Sequence, residues 1–316
     1  MGDARLTGRR LRLLALSIGL SVAGYLMLSL WGGREGVVAG LRAVGFGGIA
    51  VALALALLNY TLRFARWQMY LVHMGHRLPL APSARIYLAG FALTTTPGKV
   101  GEALRSLLLT HWQVPYAHSL AALVAERLSD LAAVTLLALL GVFLFPQTAP
   151  YVLGAAVLVA ALILALGQRR RLAALESRFA GSGDRVRRLL ANVARMLAAA
   201  ARCSDLGRFS AGLVLALAGW GAEALAFWWI LGLTGLEVDL LHATVIFALA
   251  MLAGALSFLP GGLGSSEVVM VGLLVLGGAD PAPAVAATLL LRLCTLWFAV
   301  MLGLAALLVH PRAETH

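Results

Sequence analysis

Charge is the scarcest commodity in this sequence. Only 12% of its 316 residues are Asp, Glu, Lys or Arg, about half the share of a soluble domain. That shortage excludes an ordinary water-exposed surface. Lysine occurs once, as Lys99, and cysteine twice, as Cys203 and Cys294. One cysteine lies in a basic stretch and the other in an apolar run, which supports neither a disulfide framework nor a thiolate metal site. The 7 histidines are scattered without metal-ligand spacing, and neither paired carboxylates nor an activated nucleophile can be assembled. No cofactor, no metal and no enzymatic activity are therefore expected.

What fills the space is apolar. Hydrophobic residues make up 61% of the chain, and the mean hydropathy is +0.91. Runs near the ~20 residues that cross a bilayer core lie at 11–31, 45–63, 117–145, 150–167, 208–232 and 284–309. The first follows Arg9, Arg10 and Arg12. It is too long for a signal-peptide core and has no clear small-residue cleavage site, so it reads as an uncleaved span.

The net charge of +11 is concentrated at the edges of these runs. The stretch 169–208 is rich in arginine against Glu176, Asp184 and Asp205, which marks it as cytoplasmic. Arg171, Arg178 and Arg185, then Arg188, Arg195 and Arg202, recur at spacings of seven. With Leu172, Phe179, Leu189, Leu190, Val193 and Leu197 they predict two amphipathic helices across 168–208, lying on an anionic leaflet. Nucleic-acid binding is not expected. Both termini are placed in the cytoplasm of a bacterial inner membrane, and Arg63, Arg66, His73, His76 and Arg77 in a cytoplasmic loop after span 45–63.

One pattern appears twice. Residues 96–102 read Thr-Pro-Gly-Lys-Val-Gly-Glu and 259–267 read Leu-Pro-Gly-Gly-Leu-Gly-Ser-Ser-Glu. The flanking apolar pieces, such as 83–96 and 102–112, are roughly 21 and 16 Å as helices, too short for a ~30 Å core. Each pair predicts a re-entrant hairpin, entering from the cytoplasm at the first motif. The stretch 241–277 has no Lys or Arg and suits entry from outside. Hairpin plus following span gives inverted repeats at 83–145 and 241–309 within a single transmembrane domain over 1–316. The predicted fold is an all-α polytopic membrane protein with six full transmembrane helices and two re-entrant helical hairpins.

At each tip a helix starts after Pro-Gly-x-x-Gly, with N–H groups and the positive dipole end near the midplane, a geometry that favours an anion such as phosphate. Gly98, Gly101, Gly261, Gly262 and Gly264 permit close backbone approach; Lys99 and Ser265 add polar groups. Arg127 and Arg292 lie roughly 12–15 Å into their spans, where charge needs a partner or a job. Two readings stand for them. They contact substrate, or they form ion pairs: Arg127 with Asp130 on its own helix, or each with the other repeat's Glu. Glu102 and Glu267 sit in first turns, where a carboxylate complements the dipole. Glu223, in mid-span, is a further intramembrane charge, with one of the deep arginines as its expected partner.

These residues carry a resemblance. The 96–102 motif, Arg105, the Glu126-Arg127-x-x-Asp130 turn, the 259–264 motif with Glu267, and Arg292 resemble the transmembrane domain of lysylphosphatidylglycerol synthases. That domain also stands alone in bacterial and archaeal flippase-like proteins, some linked to hopanoid, polyprenyl-phosphate sugar or cardiolipin pathways. The resemblance covers roughly 10–310 and implies lipid translocation between leaflets, with the motif residues lining the path. The synthase's soluble aminoacyl-transferase domain is missing before His316, so aminoacylation is not expected. The second motif departs from the first in two extra residues, Ser265 and Ser266, and in Gly262 where the first has Lys99. The expected partners are the bilayer and an anionic lipid headgroup. The alternatives are a membrane-embedded lipid-modifying transferase and a non-catalytic accessory to a lipid-biosynthesis enzyme.

Overall fold

The computed structural model describes residues 33–95, 100–179, 185–257 and 259–308, and every regular element in them is helical. The expected span 11–31, and Gly98 and Lys99 of the first motif, lie outside the described residues. Helix α1 (Arg34–His73) is broken at Gly45, whose φ of 61° only glycine adopts readily. Then come α2 (Leu80–Ala89), running into a 3₁₀ turn (Gly90–Leu93), and α3 (Val100–Leu109). Next are α4 (Tyr116–Leu139), α5 (Ala149–Gly167), α6 (Arg169–Phe179), α7 (Arg185–Cys203) and α8 (Leu206–Leu233). The second motif is bracketed by α9 (Leu240–Leu256) and α10 (Ser265–Leu276). The last apolar run forms α11 (Pro281–Arg292), a π-helical turn (Leu293–Trp297) and α12 (Phe298–Leu308).

Four described stretches are long and apolar enough to cross a membrane: Arg34–His73, Pro146–Gly167, Leu206–Leu233 and Pro281–Leu308. The expected span 117–145 is not one of them. Its helix α4 has 24 residues, roughly 36 Å and long enough, but Glu126, Arg127 and Asp130 interrupt its apolarity. Those carboxylates are buried inside protein, at 0% and 5% exposure. The apolar stretches beside the two motifs, Leu80–Leu93, Leu240–Leu256 and Pro260–Leu276, are shorter, none longer than 17 residues.

The chain divides into two compact units. Unit 1 comprises Met1–Ala56, Leu88–Glu102 and Glu223–His316; unit 2 comprises Leu57–Tyr87 and Ala103–Ala222. The division falls inside the first expected repeat, since 88–102 joins unit 1 and 103–145 joins unit 2.

Unit 1 is packed through small residues. A Cβ added to Gly36 or Gly40 would stand 2.8 Å from the Cβ of Ala282 or Ala286, so α1 and α11 meet along small-xxx-small faces. Gly303 of α12 is tighter still: a Cβ there would lie 2.2 Å from the Ala92 backbone nitrogen and 2.8 Å from the Leu88 carbonyl oxygen. Backbone cannot rotate away as a side chain can. Gly303→Ala is expected to destabilise the protein by about 1–3 kcal/mol through overpacking. Thermal unfolding in detergent checks this, and an unchanged midpoint contradicts it.

In unit 2, Ala121 and Leu128 of α4, Leu166 of α5 and Ala199 and Ala200 of α7 form a core, with Leu172, Leu197 and Phe209 packed against it. Both amphipathic helices expected across 168–208 are present. The inward face of α7 is alanine, including Ala191, Ala194 and Ala198, while Leu189, Leu190 and Val193 stay exposed beside Arg195. Where α1 ends, His76 Nε2 and His118 Nδ1 share a hydrogen bond of 2.8 Å. Burial pushes the His76 imidazole below its usual range, so the folded unit holds the neutral ring. Its stabilising contribution is complete above pH ~6.5 and is lost as pH falls through the lowered value. A thermal midpoint that drops between pH 7 and pH 5, and drops less in His76→Gln, is expected; a midpoint flat across that range in the parent contradicts it.

Candidate functional site

The second Pro-Gly motif sits in unit 1. After α9, Pro260–Gly262 makes a 3₁₀ turn with Gly261 at φ 61°, Gly262 at 67° and Gly264 at 86°. Three left-handed residues within four positions require glycine. A Cβ on Gly262 would lie 3.0 Å from the Gly254 Cα, so the tip lies directly on α9. Ser265 Oγ donates to the Gly262 carbonyl at 3.1 Å and meets Ser257 Oγ at 2.9 Å. These bonds tie the tip to both arms.

Helix α10 begins just after Gly264, whose N–H donates to Glu267 Oε2 at 2.7 Å. The other oxygen, Oε1, accepts from Arg292 Nε at 2.7 Å, and Arg292 Nη2 donates to the Gly261 carbonyl at 2.7 Å. Both side chains are buried. Two consequences follow. Glu267 supplies the negative charge that this helix start attracts, the dipole-complementing role its first-turn position suggests. Arg292 pairs with the Glu of its own repeat and fastens the tip through a carbonyl. The π turn directly after Arg292 opens the helix by one residue, and Leu296 within it packs against Gly261.

The flank of the first motif reaches the same place. Thr95, fully buried, is the last described residue before that motif. A Cβ on Gly261 would lie 3.7 Å from Thr95 Cγ2. The two broken segments therefore meet within unit 1. Gly101 lies in the first turn of α3, and the side chain of Glu102 is outside the described residues.

Unit 2 gathers the remaining charges around Asp130. Arg66 Nη2 donates to Asp130 Oδ1 at 2.6 Å, and Trp220 Nε1 donates to the same oxygen at 3.2 Å. Arg127 Nη2 stands 3.0 Å from Oδ2, an ion pair on one helix turn as expected, without hydrogen-bond alignment. Arg105 pairs with Glu126 at 3.3 Å and lies over the Tyr87 ring at 4.9 Å. Glu126 and Arg66 are wholly inaccessible.

Arg66 corrects the sequence reading, which put it in a loop. Helix α1 continues to His73, so Arg66 is seven residues from its end and buried. The charge rule assigns arginines near a span end to water, and here helix packing overrides it. A signal was present: Asn59, Arg63, Arg66 and Tyr70 follow at spacings of 4, 3 and 4, one helix face. That face is built into protein. Tyr70 Oη meets Ser129 Oγ at 3.1 Å, and the Arg63 guanidinium lies 5.9 Å from the Trp220 ring centre. Gly212 and Gly219 of α8 make room, since Cβ atoms there would stand 2.3 Å from Tyr70 Oη and 3.1 Å from Asn59 Nδ2. Glu223, one turn beyond Trp220 on α8, is buried.

The site residues thus fall into two groups, the Gly261–Glu267–Arg292 tip in unit 1 and the Arg66–Asp130–Arg127 cluster in unit 2. Among the described residues no group of His, Cys, Asp and Glu could hold a metal. Comparison with known proteins agrees with the all-helical, membrane-spanning character. A UPF0104 membrane protein of Methanothermobacter thermautotrophicus is 26% identical over 302 residues, covering 90% of each chain. A UPF0104 membrane protein of Pyrococcus horikoshii is 23% identical over 317 residues, covering 91% of this chain and 94% of its own. The family model described as the lysylphosphatidylglycerol synthase TM region matches residues 13–303. This chain belongs to that family of membrane proteins.

Proposed function

We propose that this protein moves an anionic, phosphate-bearing lipid between leaflets, its headgroup passing through a polar space beside the two Pro-Gly tips. The observation that carries the reading is the contact between Thr95 and Gly261, which brings both interrupted segments to one point. Non-helical backbone at membrane depth is tolerated where it is buried in protein or lines a water-filled cavity. Paired interrupted helices are how many transporters build a midplane site. The arginine-rich 168–208 segment orients that region toward the cytoplasm of a bacterial inner membrane. The role is transport, not catalysis.

Reconstitution into liposomes tests this. Labelled phosphatidylglycerol, a polyprenyl phosphate and a hopanoid derivative are each followed for loss of leaflet asymmetry. Faster movement of at least one, without chemical change, is expected. Equal rates with and without protein for all three refute transport, and a converted lipid product points to a transferase instead.

A further inference from the structure

We infer that one face of α7 docks on the anionic leaflet of the membrane that holds the chain, with Leu189, Leu190 and Val193 among the acyl chains and the arginines of the helix among the headgroups. The inference does not depend on the translocation reading. Three observations carry it.

The first is tethering. Only Gln168 separates α5 from α6, and only Ser204 and Asp205 separate α7 from α8. The flanking stretches Pro146–Gly167 and Leu206–Leu233 are long and apolar enough to cross a membrane, and no stretch among the described residues between them is. The α6–α7 pair is thus held at both ends at one bilayer surface.

The second is an apolar face that the protein leaves open. Ala191, Ala194 and Ala198 of α7 are buried, and Ala199 and Ala200 pack into the core with Leu166 of α5. Leu189, Leu190 and Val193, within five residues of one another, are 63%, 42% and 40% exposed. Leu172 and Leu197, which the sequence groups with them, pack against that core instead. Lipid contact therefore narrows to one patch of α7. Clustered apolar side chains on an otherwise charged helix mark a contact with protein or membrane.

The third is charge, which chooses between those two. Helix α7 contains Arg185, Arg187, Arg188, Arg195 and Arg202 and no acidic residue. Arg195 and Arg202 are exposed. Arg195 donates to Asn192 Oδ1 and to the Ala191 carbonyl, neither of them charged. A second copy meeting this helix face to face brings the same positive charge and is repelled. An anionic leaflet attracts it, by roughly fivefold in partitioning for each arginine near the surface. Arginine stems are long enough to keep the guanidinium among headgroups while leucine side chains sit deeper.

The test places a bimane label at Leu189→Cys, and separately at Val193→Cys, in the full chain with Cys203 and Cys294 replaced by Ala. The protein is reconstituted into vesicles of phosphatidylcholine alone or of phosphatidylcholine with phosphatidylglycerol. Iodide on both sides of the bilayer quenches a label in water, and a nitroxide on the acyl chain quenches a label in lipid. In the mixed vesicles acyl-chain quenching is expected to dominate, with iodide quenching about threefold or more below its value in phosphatidylcholine alone. High salt is expected to narrow that difference, and Arg195→Gln with Arg202→Gln to reduce it at low salt. Both arginines are exposed, so the double variant is expected to keep the parent's thermal midpoint in detergent; if it does not, the salt dependence of the parent decides. The inference is overturned if iodide quenches fully in both membranes, which leaves the patch in water. It is also overturned if the label is shielded from both quenchers, which assigns the patch to a protein partner. Equal quenching in the two membranes overturns it as well, because the contact then has no preference for anionic lipid. None of these outcomes alters what the liposome assay says about lipid movement.

Discussion

Asp130→Ala is expected to lower stability by about 3–5 kcal/mol, because it strands Arg66 as an unpaired charge in a fully buried position. The loss exceeds the value of one hydrogen bond. Asp130 Oδ1 accepts from both Arg66 and Trp220, so its removal uncouples α1, α4 and α8 together. Arg127, about a third exposed, suffers less from losing the same partner. Replacing the pair as Arg66→Met with Asp130→Leu removes both charges at once, and most of the stability is expected to return. Chemical unfolding of the three variants in detergent reads the difference. A double variant no better than Asp130→Ala alone contradicts the argument.

Arg292→Ala is expected to cost a similar amount, about 3–5 kcal/mol, by a different route. Glu267 is fully buried and accepts from Gly264 N–H and from Arg292 Nε. Removing Arg292 takes a charged donor from the buried carboxylate and its guanidinium partner from the Gly261 carbonyl. Glu267→Gln leaves an amide oxygen able to accept from Gly264 or from Arg292 but removes the charge, so its expected effect is smaller. Adding Glu267→Gln to Arg292→Ala is expected to recover part of the loss, because the stranded charge disappears. Strictly additive effects across this cycle would mean that the two side chains are not coupled.

Much of the architecture was legible because its signals are local. Pro-Gly breaks and helix lengths located α3, α9 and α10, and arginine spacing located α6 and α7. The Arg127–Asp130 pair follows from three-residue spacing on one helix. What escaped was set by packing between distant segments. Arg66 is indistinguishable from a loop arginine until α1 is known to run on to His73, and Asp130 lies 64 residues away. The break at Gly45 escaped for a related reason: a glycine between apolar residues has no flanking proline or charge to mark the turn. The pairing of Arg292 within its own repeat depends on where the tip folds back, which spacing along the chain does not specify. The alanine face of α7 was passed over because leucine carries the stronger apolar signal, yet alanine allows the closer helix contact.

The central claim is that the two Pro-Gly segments meet at one point and that lipid moves beside it. It is tested most directly by Thr95→Cys with Gly261→Cys, in a chain whose Cys203 and Cys294 are replaced by Ala, oxidised in the native membrane and then reconstituted, with Gly261→Cys alone as the control for strain at that positive-φ glycine. The account predicts that a disulfide forms, that lipid movement stops, and that reduction restores it. Failure to cross-link in the folded protein, or movement undiminished by the cross-link, would contradict it.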